Sequence, residues 1–165
     1  MQPEIYWIPS PWPGRLAILP YPRGEDGLEQ EIDEFRQMGV DVMVSALEKA
    51  EAAALGLAAE LEICQRKGIE FISFPIPDGG VPASPQATLK LARSLKAKLE
   101  AGKNVAIHCR AGVGRCPTLA ACVLLLAGME PDAAFSCIQA VRGARVPDMP
   151  EQKTWVDNFA LDHKV

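Results

Sequence analysis

The chain has 165 residues, 48% of them hydrophobic and 23% charged, with a mean hydropathy of +0.04; this is a globular composition with room for one core. No apolar run approaches the roughly 18 to 20 residues of a membrane-spanning helix, so an integral membrane protein is not expected. Seventeen basic against 21 acidic residues give a net charge of −4; nothing global draws the chain to nucleic acid or to an anionic membrane, and any anion site must be local.

Six of the 14 prolines fall within residues 3–22, with Tyr6, Trp7 and Trp12 among them, which predicts an irregular or short-stranded opening whose aromatics cover the edge of a core. Residues 1–13 lack the basic start and apolar stretch of a secretory leader, so a cytoplasmic chain is expected, its five cysteines reduced. From Leu28, the spacing of Leu28, Ile32 and Phe35 predicts a helix stopped by Gly39, then a buried strand over 40–44. Residues 48–67, rich in Ala, Leu and Glu and interrupted at Gly56, predict a short helix and a longer one, with Glu48, Glu51 and the Glu60 to Glu62 cluster on solvated faces. A strand over 69–74 follows. Ser84 and Pro85 make an N-cap and first-turn pair, and Leu89, Ala92, Leu95 and Leu99 a single apolar stripe. A strand over 105–108 and helices over 116–127, 132–142 and 150–161 complete the chain. The alternation predicts an α/β fold of one domain, residues 1–165, with a largely parallel twisted sheet of four or five strands flanked by helices. Residues 1–24 form a proline-rich segment packed on it.

The segment VAIHCRAGVGRCPT, residues 105–118, reads as strand, glycine-containing turn and helix start. This geometry aims the backbone N–H groups of Arg110, Ala111, Gly112, Val113, Gly114 and Arg115, with the positive end of the helix dipole, at one point beyond the strand. Such a point suits a phosphate dianion. Cys109 lies where the strand opens, beneath that anion, and the same field stabilises its thiolate. Arg115 closes the loop, where its planar fork can hold two phosphate oxygens and tighten as phosphorus becomes trigonal-bipyramidal. No G-K-[S/T] or G-x-G-x-x-G pattern is present to offer another phosphate loop, and two histidines without a C-x-x-C pair leave no zinc ligand set. Neither a metal nor an organic cofactor is expected.

HCRAGVGR, residues 108–115, resembles the H-C-x5-R signature of the cysteine-dependent protein tyrosine phosphatases, and the chain's small size is similar to their dual-specificity branch. FPIPDGGVP, residues 74–82, resembles that family's mobile general-acid loop, with Asp78 lying 31 residues before Cys109; PDMPEQ, residues 147–152, resembles the loop that supplies a water-positioning glutamine. The resemblance spans about residues 40–159. It implies Cys109 as nucleophile, Arg115 as phosphate clamp, Asp78 as general acid and Gln152 as the group orienting the second-step water. It also implies that His108 hydrogen-bonds the loop backbone and helps set the thiolate pKa. From the residues alone, Asp78 can also be read as an Asp-Gly turn, Gln152 as a solvated first-turn glutamine and His108 as a satisfied core group, while His163 reads as a surface residue. One position departs from the pattern. The family usually has Ser or Thr after the arginine, donating to the nucleophile as it leaves phosphorus, whereas Cys116 offers a weaker thiol donor. The family geometry would also bring the two sulfurs within reach of a Cys109–Cys116 disulfide.

Residues 103–147 carry a net +3 against −7 for the remainder, which polarises the molecule around the motif. Within the loop only Arg110 is an extra base, a pattern that favours phosphotyrosine on proteins or peptides over inositol phosphates, with phosphoserine and phosphothreonine open. Two other classes remain: a non-catalytic phosphopeptide-binding module on the same fold, and a thiol enzyme of sulfur transfer or arsenate reduction; against the latter class, sulfur transfer has no use for an acid at Asp78.

Overall fold

The computed structural model describes residues 2–163. Two short strands, β1 (Tyr6–Ile8) and β2 (Leu16–Leu19), are followed by a single 3₁₀ turn at Glu25–Gly27 and by α1 (Leu28–Gln37). Then come β3 (Val42–Ser45), α2 (Lys49–Ala54), α3 (Glu60–Arg66), β4 (Glu70–Ser73), α4 (Pro85–Glu100) and β5 (Val105–His108). Three helices, α5 (Arg115–Leu125), α6 (Pro131–Arg142) and α7 (Pro150–Asp162), close the chain. The sheet order is β1-β2-β5-β3-β4; only β1 runs antiparallel to its neighbour. This is the expected α/β fold with a largely parallel sheet.

Period-two alternation assigns the strands to two apolar layers. Leu16, Ile18, Val42, Val44, Val105 and Ile107 face the larger core, built with α4, α5, α6 and α7. Ala17, Leu19, Met43 and Ala106 face a smaller one with Leu28, Ile32, Phe35, Ile63 and Cys64. Helix α5 is buried along its whole length, as its Ala, Leu, Val and Cys content allows for a helix enclosed on every side. Ser84 caps α4 by accepting from the Ala87 N–H at 3.1 Å, and Pro85 opens it.

The elements differ from the sequence expectation mainly at their ends. β3 starts at Val42 because the Val40 N–H closes α1 on the Phe35 carbonyl, while Asp41 and Val42 both donate to the Asn104 carbonyl. The buried stripe of α4 comprises Thr88, Leu91, Ala92, Leu95 and Leu99; Leu89 lies on its half-buried flank. His163 is half-buried against the Phe159 ring, not a plain surface group.

Register places the site. Leu19 and Ser45 both pair with His108, and Ser73 pairs with Ser45, so the four parallel strands end on one edge. β5 lies between β2 and β3; the chain leaves both of those strands for helices on the smaller-core face, α1 and α3, and leaves β5 for α5 on the larger-core face, and such a reversal opens the crevice in which α/β sheets hold ligands. The loop after β5 occupies that crevice.

Candidate active site

The loop from Cys109 to Gly114 is tied from outside at every carbonyl that matters. The Arg110 carbonyl accepts from the Tyr21 N–H at 3.2 Å. The Ala111 and Gly112 carbonyls accept from the Arg142 guanidinium at 3.1 and 3.0 Å. The Val113 carbonyl accepts from the Asp148 N–H at 2.9 Å, and the Gly114 carbonyl from the Thr118 N–H and hydroxyl at 3.1 and 2.8 Å. In a planar trans peptide the N–H points opposite to the C=O of the same unit. Five outward-tied carbonyls therefore turn the N–H groups of Ala111, Gly112, Val113, Gly114 and Arg115 toward the loop's interior. Gly112 has φ +76°, and a Cβ there would meet the Pro20 nitrogen at 3.0 Å; both conformation and space demand glycine. A Cβ at Gly114 would run into the Asp148 carboxylate and the Gln152 amide.

Cys109 is 2% exposed at the floor of this ring. Its sulfur lies 3.3 Å from that of Cys116. The Cys116 thiol hydrogen bond, opposed by burial and aided by the backbone N–H groups of Cys116 and Gly112 and by the Arg115 charge, brings Cys109 down to about 6. Burial pushes Cys116 well above the ordinary thiol range, so of the two it is the proton donor. Both thiols are free.

Arg115 opens α5 and is 3% exposed. Its Nη1 and Nη2 donate to the two Glu51 carboxylate oxygens, each at 2.8 Å, a bidentate pair that holds the guanidinium in one plane. Nη1 also donates to the Ile76 carbonyl at 2.9 Å, and Nη2 to Asp78 Oδ1 at 3.3 Å. Four of five donors are thus engaged, which leaves Nε–H, adjacent on the fork to the hydrogen that Asp78 takes. Asp78 sits in the turn its residues suggested, closed by the Gly80 N–H on the Pro77 carbonyl at 2.8 Å, and its exposed carboxylate reaches the arginine of the loop.

Gln152, read as a solvated glutamine in one alternative, is fully buried. Its Nε2 donates to the Gly80 carbonyl at 3.1 Å and its Oε1 accepts from the Met149 N–H at 3.3 Å, linking the loop of Asp78 to the start of α7. His108 is fully buried behind Cys109, with Nδ1 3.4 Å from the Cys109 carbonyl and Nε2 2.8 Å from Glu60 Oε2. Arg110 is exposed at the rim.

Cys109, Arg115, Asp78, Gln152, His108 and Cys116 are therefore brought to one place. Two side chains read as solvated belong there as well. Glu51, 64 residues from Arg115, and Glu60, 48 residues from His108, each pair with a loop-end residue across the sheet edge. The Arg115 guanidinium holds the Glu51 carboxyl below its ordinary range. Arg142, counted above only as charge, serves as the brace of the loop carbonyls. Among the described residues no His, Cys, Asp and Glu cluster suits a metal ion. A recess of about 620 Å³ at the far end of α5 and α7 is lined by Glu130, Asp132 and Asp157, the wrong sign for a phosphate.

Residues 19–129 match the family model described as a polymorphic toxin system, DSP-PTPase phosphatase. The span includes Asp78 and the whole loop from Cys109 to Cys116. Cyclin-dependent kinase inhibitor 3 of Rattus norvegicus is 26% identical across 94% of this chain and 78% of its own length. The probable protein tyrosine phosphatase type IVA A of Dictyostelium discoideum is 31% identical across 78% of this chain and 72% of its own. Among solved structures, kinase associated phosphatase with its catalytic-site cysteine replaced by serine superposes with a TM-score of 0.88 at 20% identity, over 98% of this chain and 96% of that one. Tk-PTP in its active form gives 0.79 at 26% identity over the full length of both.

Proposed function

The chain belongs to the DSP-PTPase phosphatase family and is a protein phosphatase of the tyrosine and dual-specificity class, and we propose that it hydrolyses phosphotyrosine monoesters through a phosphocysteine at Cys109. The observation that carries the reading is the ring of inward N–H groups around a thiol held at about 6, with the Arg115 fork at its edge. The Cys109 thiolate attacks phosphorus, and the S–P bond forms as the bond to the leaving oxygen breaks. The loop amides and Arg115 hold the three non-bridging oxygens, whose charge is greatest in the transition state. Asp78, as the carboxylic acid, gives its proton to the departing phenolate or alkoxide. In the second displacement Asp78 takes a proton from water, which Gln152 helps to orient. Phosphate forms and Cys109 leaves as thiolate, with Cys116 donating to it.

Phosphoserine and phosphothreonine esters follow the same steps wherever they reach the thiolate. A reducing compartment such as the cytoplasm fits a thiolate nucleophile and five free cysteines; no described helix is long and apolar enough to cross a membrane. The test is hydrolysis of p-nitrophenyl phosphate under reducing conditions at mildly acidic pH, native protein beside Cys109→Ser. Turnover by the native protein alone supports the reading. Tight phosphopeptide binding without turnover would identify a binding module instead.

A further inference from the structure

The mechanism leaves Glu60 unused, although a carboxylate only 2% exposed is an expensive thing to bury without a purpose. It opens α3 on the same face as the buried Ile63 and Cys64, and its Oε2 lies 2.8 Å from Nε2 of the equally buried His108. The other ring nitrogen of His108 is aimed at the Cys109 carbonyl, at 3.4 Å. The charged or titratable groups facing His108 are Glu60 from α3 and the Cys109 thiolate next to it; facing Glu60 are His108 and the Cys64 thiol. Burial alone would push His108 down, yet the Glu60 charge and hydrogen bond, together with the Cys109 carbonyl and thiolate, outweigh it and the ring ends up above its ordinary value. Glu51 and Glu60 both come from the stretch joining β3 to β4. One holds Arg115 at the end of the loop and the other His108 at its beginning.

We propose that Glu60 is a positioning residue for the phosphatase reaction: it holds His108 as an imidazolium whose Nδ1–H faces the Cys109 carbonyl, fixing the nucleophile's peptide and setting a positive charge behind its thiolate. The inference rests on the phosphocysteine reading and deepens it. With a neutral amide at position 60 the buried ring keeps only the Cys109 carbonyl and thiolate to set against its burial, and its charged form is disfavoured. The thiolate then loses its neighbouring cation and becomes harder to form.

The experiment reads the thiolate without using phosphatase activity. Alkylation of Cys109 by iodoacetamide is followed against pH by peptide mass spectrometry in the native protein, Glu60→Gln, His108→Asn and the double variant. The native profile is expected to have its midpoint at about 6. Glu60→Gln is expected to move it up by about one pH unit, His108→Asn by a similar amount, and the double variant no further than either alone. A merely structural glutamate would lower the melting temperature and leave the midpoint in place. A second readout needs no variant: ¹⁵N NMR of the native protein should find the His108 ring as imidazolium at pH 7, distinguished from His163, the only other histidine. A folded Glu60→Gln with the native midpoint, or a neutral His108 ring at pH 7, would overturn the inference alone. A native Cys109 that titrates in the ordinary thiol range would overturn the phosphocysteine reading and this inference with it.

Discussion

Replacing Glu51 tests whether Arg115 must be held in one plane to work. The guanidinium is 3% exposed and the Glu51 side chain 13%, and the pair is bidentate at 2.8 Å on both arms. Breaking one partner of a buried ion pair costs about 3 to 5 kcal/mol. The partial exposure of Glu51 puts this case near the lower end. Part of that cost appears as lost stability and part as a guanidinium no longer fixed for a transition state that it grips more tightly than the ground state. With about 2.7 kcal/mol on the barrier, kcat of Glu51→Ala falls about 100-fold while KM changes only a few-fold. Glu51→Gln keeps one acceptor and loses about tenfold. The assay is steady-state p-nitrophenyl phosphate hydrolysis, with vanadate inhibition alongside; vanadate takes up the trigonal-bipyramidal form and should weaken in parallel with kcat. A folded Glu51→Ala whose kcat stays within a factor of two of native would refute the reasoning, because Arg115 would then need no such support.

Asp78 shares the Nη2 edge of Arg115 that a phosphate oxygen would use, so Asp78→Asn should bind vanadate more tightly than native while hydrolysing phenyl phosphate far more slowly. Its loss on p-nitrophenyl phosphate, whose leaving group needs a proton less, should be smaller. Cys116→Ser replaces a thiol 3.3 Å from the nucleophile by a hydroxyl that donates more strongly; with about 1 kcal/mol gained on departure from phosphorus, steady-state turnover should rise about fivefold and the burst should shrink. Equal or slower turnover would count against Cys116 as the limiting donor. In the native protein kcat/KM should fall tenfold per pH unit below about 6, where Cys109 protonates. The depressed value also favours the fold: the contribution is complete above the ordinary thiol range and is lost as pH falls through about 6. The melting temperature should therefore rise with pH across that window in the native protein but not in Cys109→Ser. Peroxide should oxidise the Cys109 thiolate to a sulfenic acid, which the Cys116 thiol attacks with loss of water. Mass spectrometry should recover the Cys109–Cys116 crosslinked peptide, and dithiothreitol should restore activity in the native protein but not in Cys116→Ser, where a second equivalent of peroxide carries the unprotected sulfenic acid to the irreversible sulfinic acid.

The loop was legible because its residues are local: Cys109, the loop amides, Arg115 and the helix start occupy eight consecutive residues, and strand and helix periods on either side fix their geometry. Asp78 and Gln152 were legible as positions, through resemblance, but not as contacts. That Gln152 is buried and bridges to the Gly80 carbonyl depends on how two loops from opposite halves of the chain meet. The braces were hidden for the same reason. Glu51 and Arg142 look like ordinary charges on ordinary helices, and their partners lie far away in sequence. Glu60 did carry a signal. It stands three and four residues before Ile63 and Cys64, on the apolar face of α3, whereas Glu62 points outward. Grouping the two as one solvated cluster lost the distinction.

The phosphocysteine is tested most directly by rapid-quench mixing of a phosphotyrosine peptide with reduced native protein, followed by peptide mapping of the quenched enzyme. A burst of dephosphorylated peptide is expected, matched by phosphate on the Cys109 peptide, decaying at the rate of turnover and absent from Cys109→Ser. Turnover with no phosphate on Cys109 at any time, or undiminished turnover in Cys109→Ser, would contradict it.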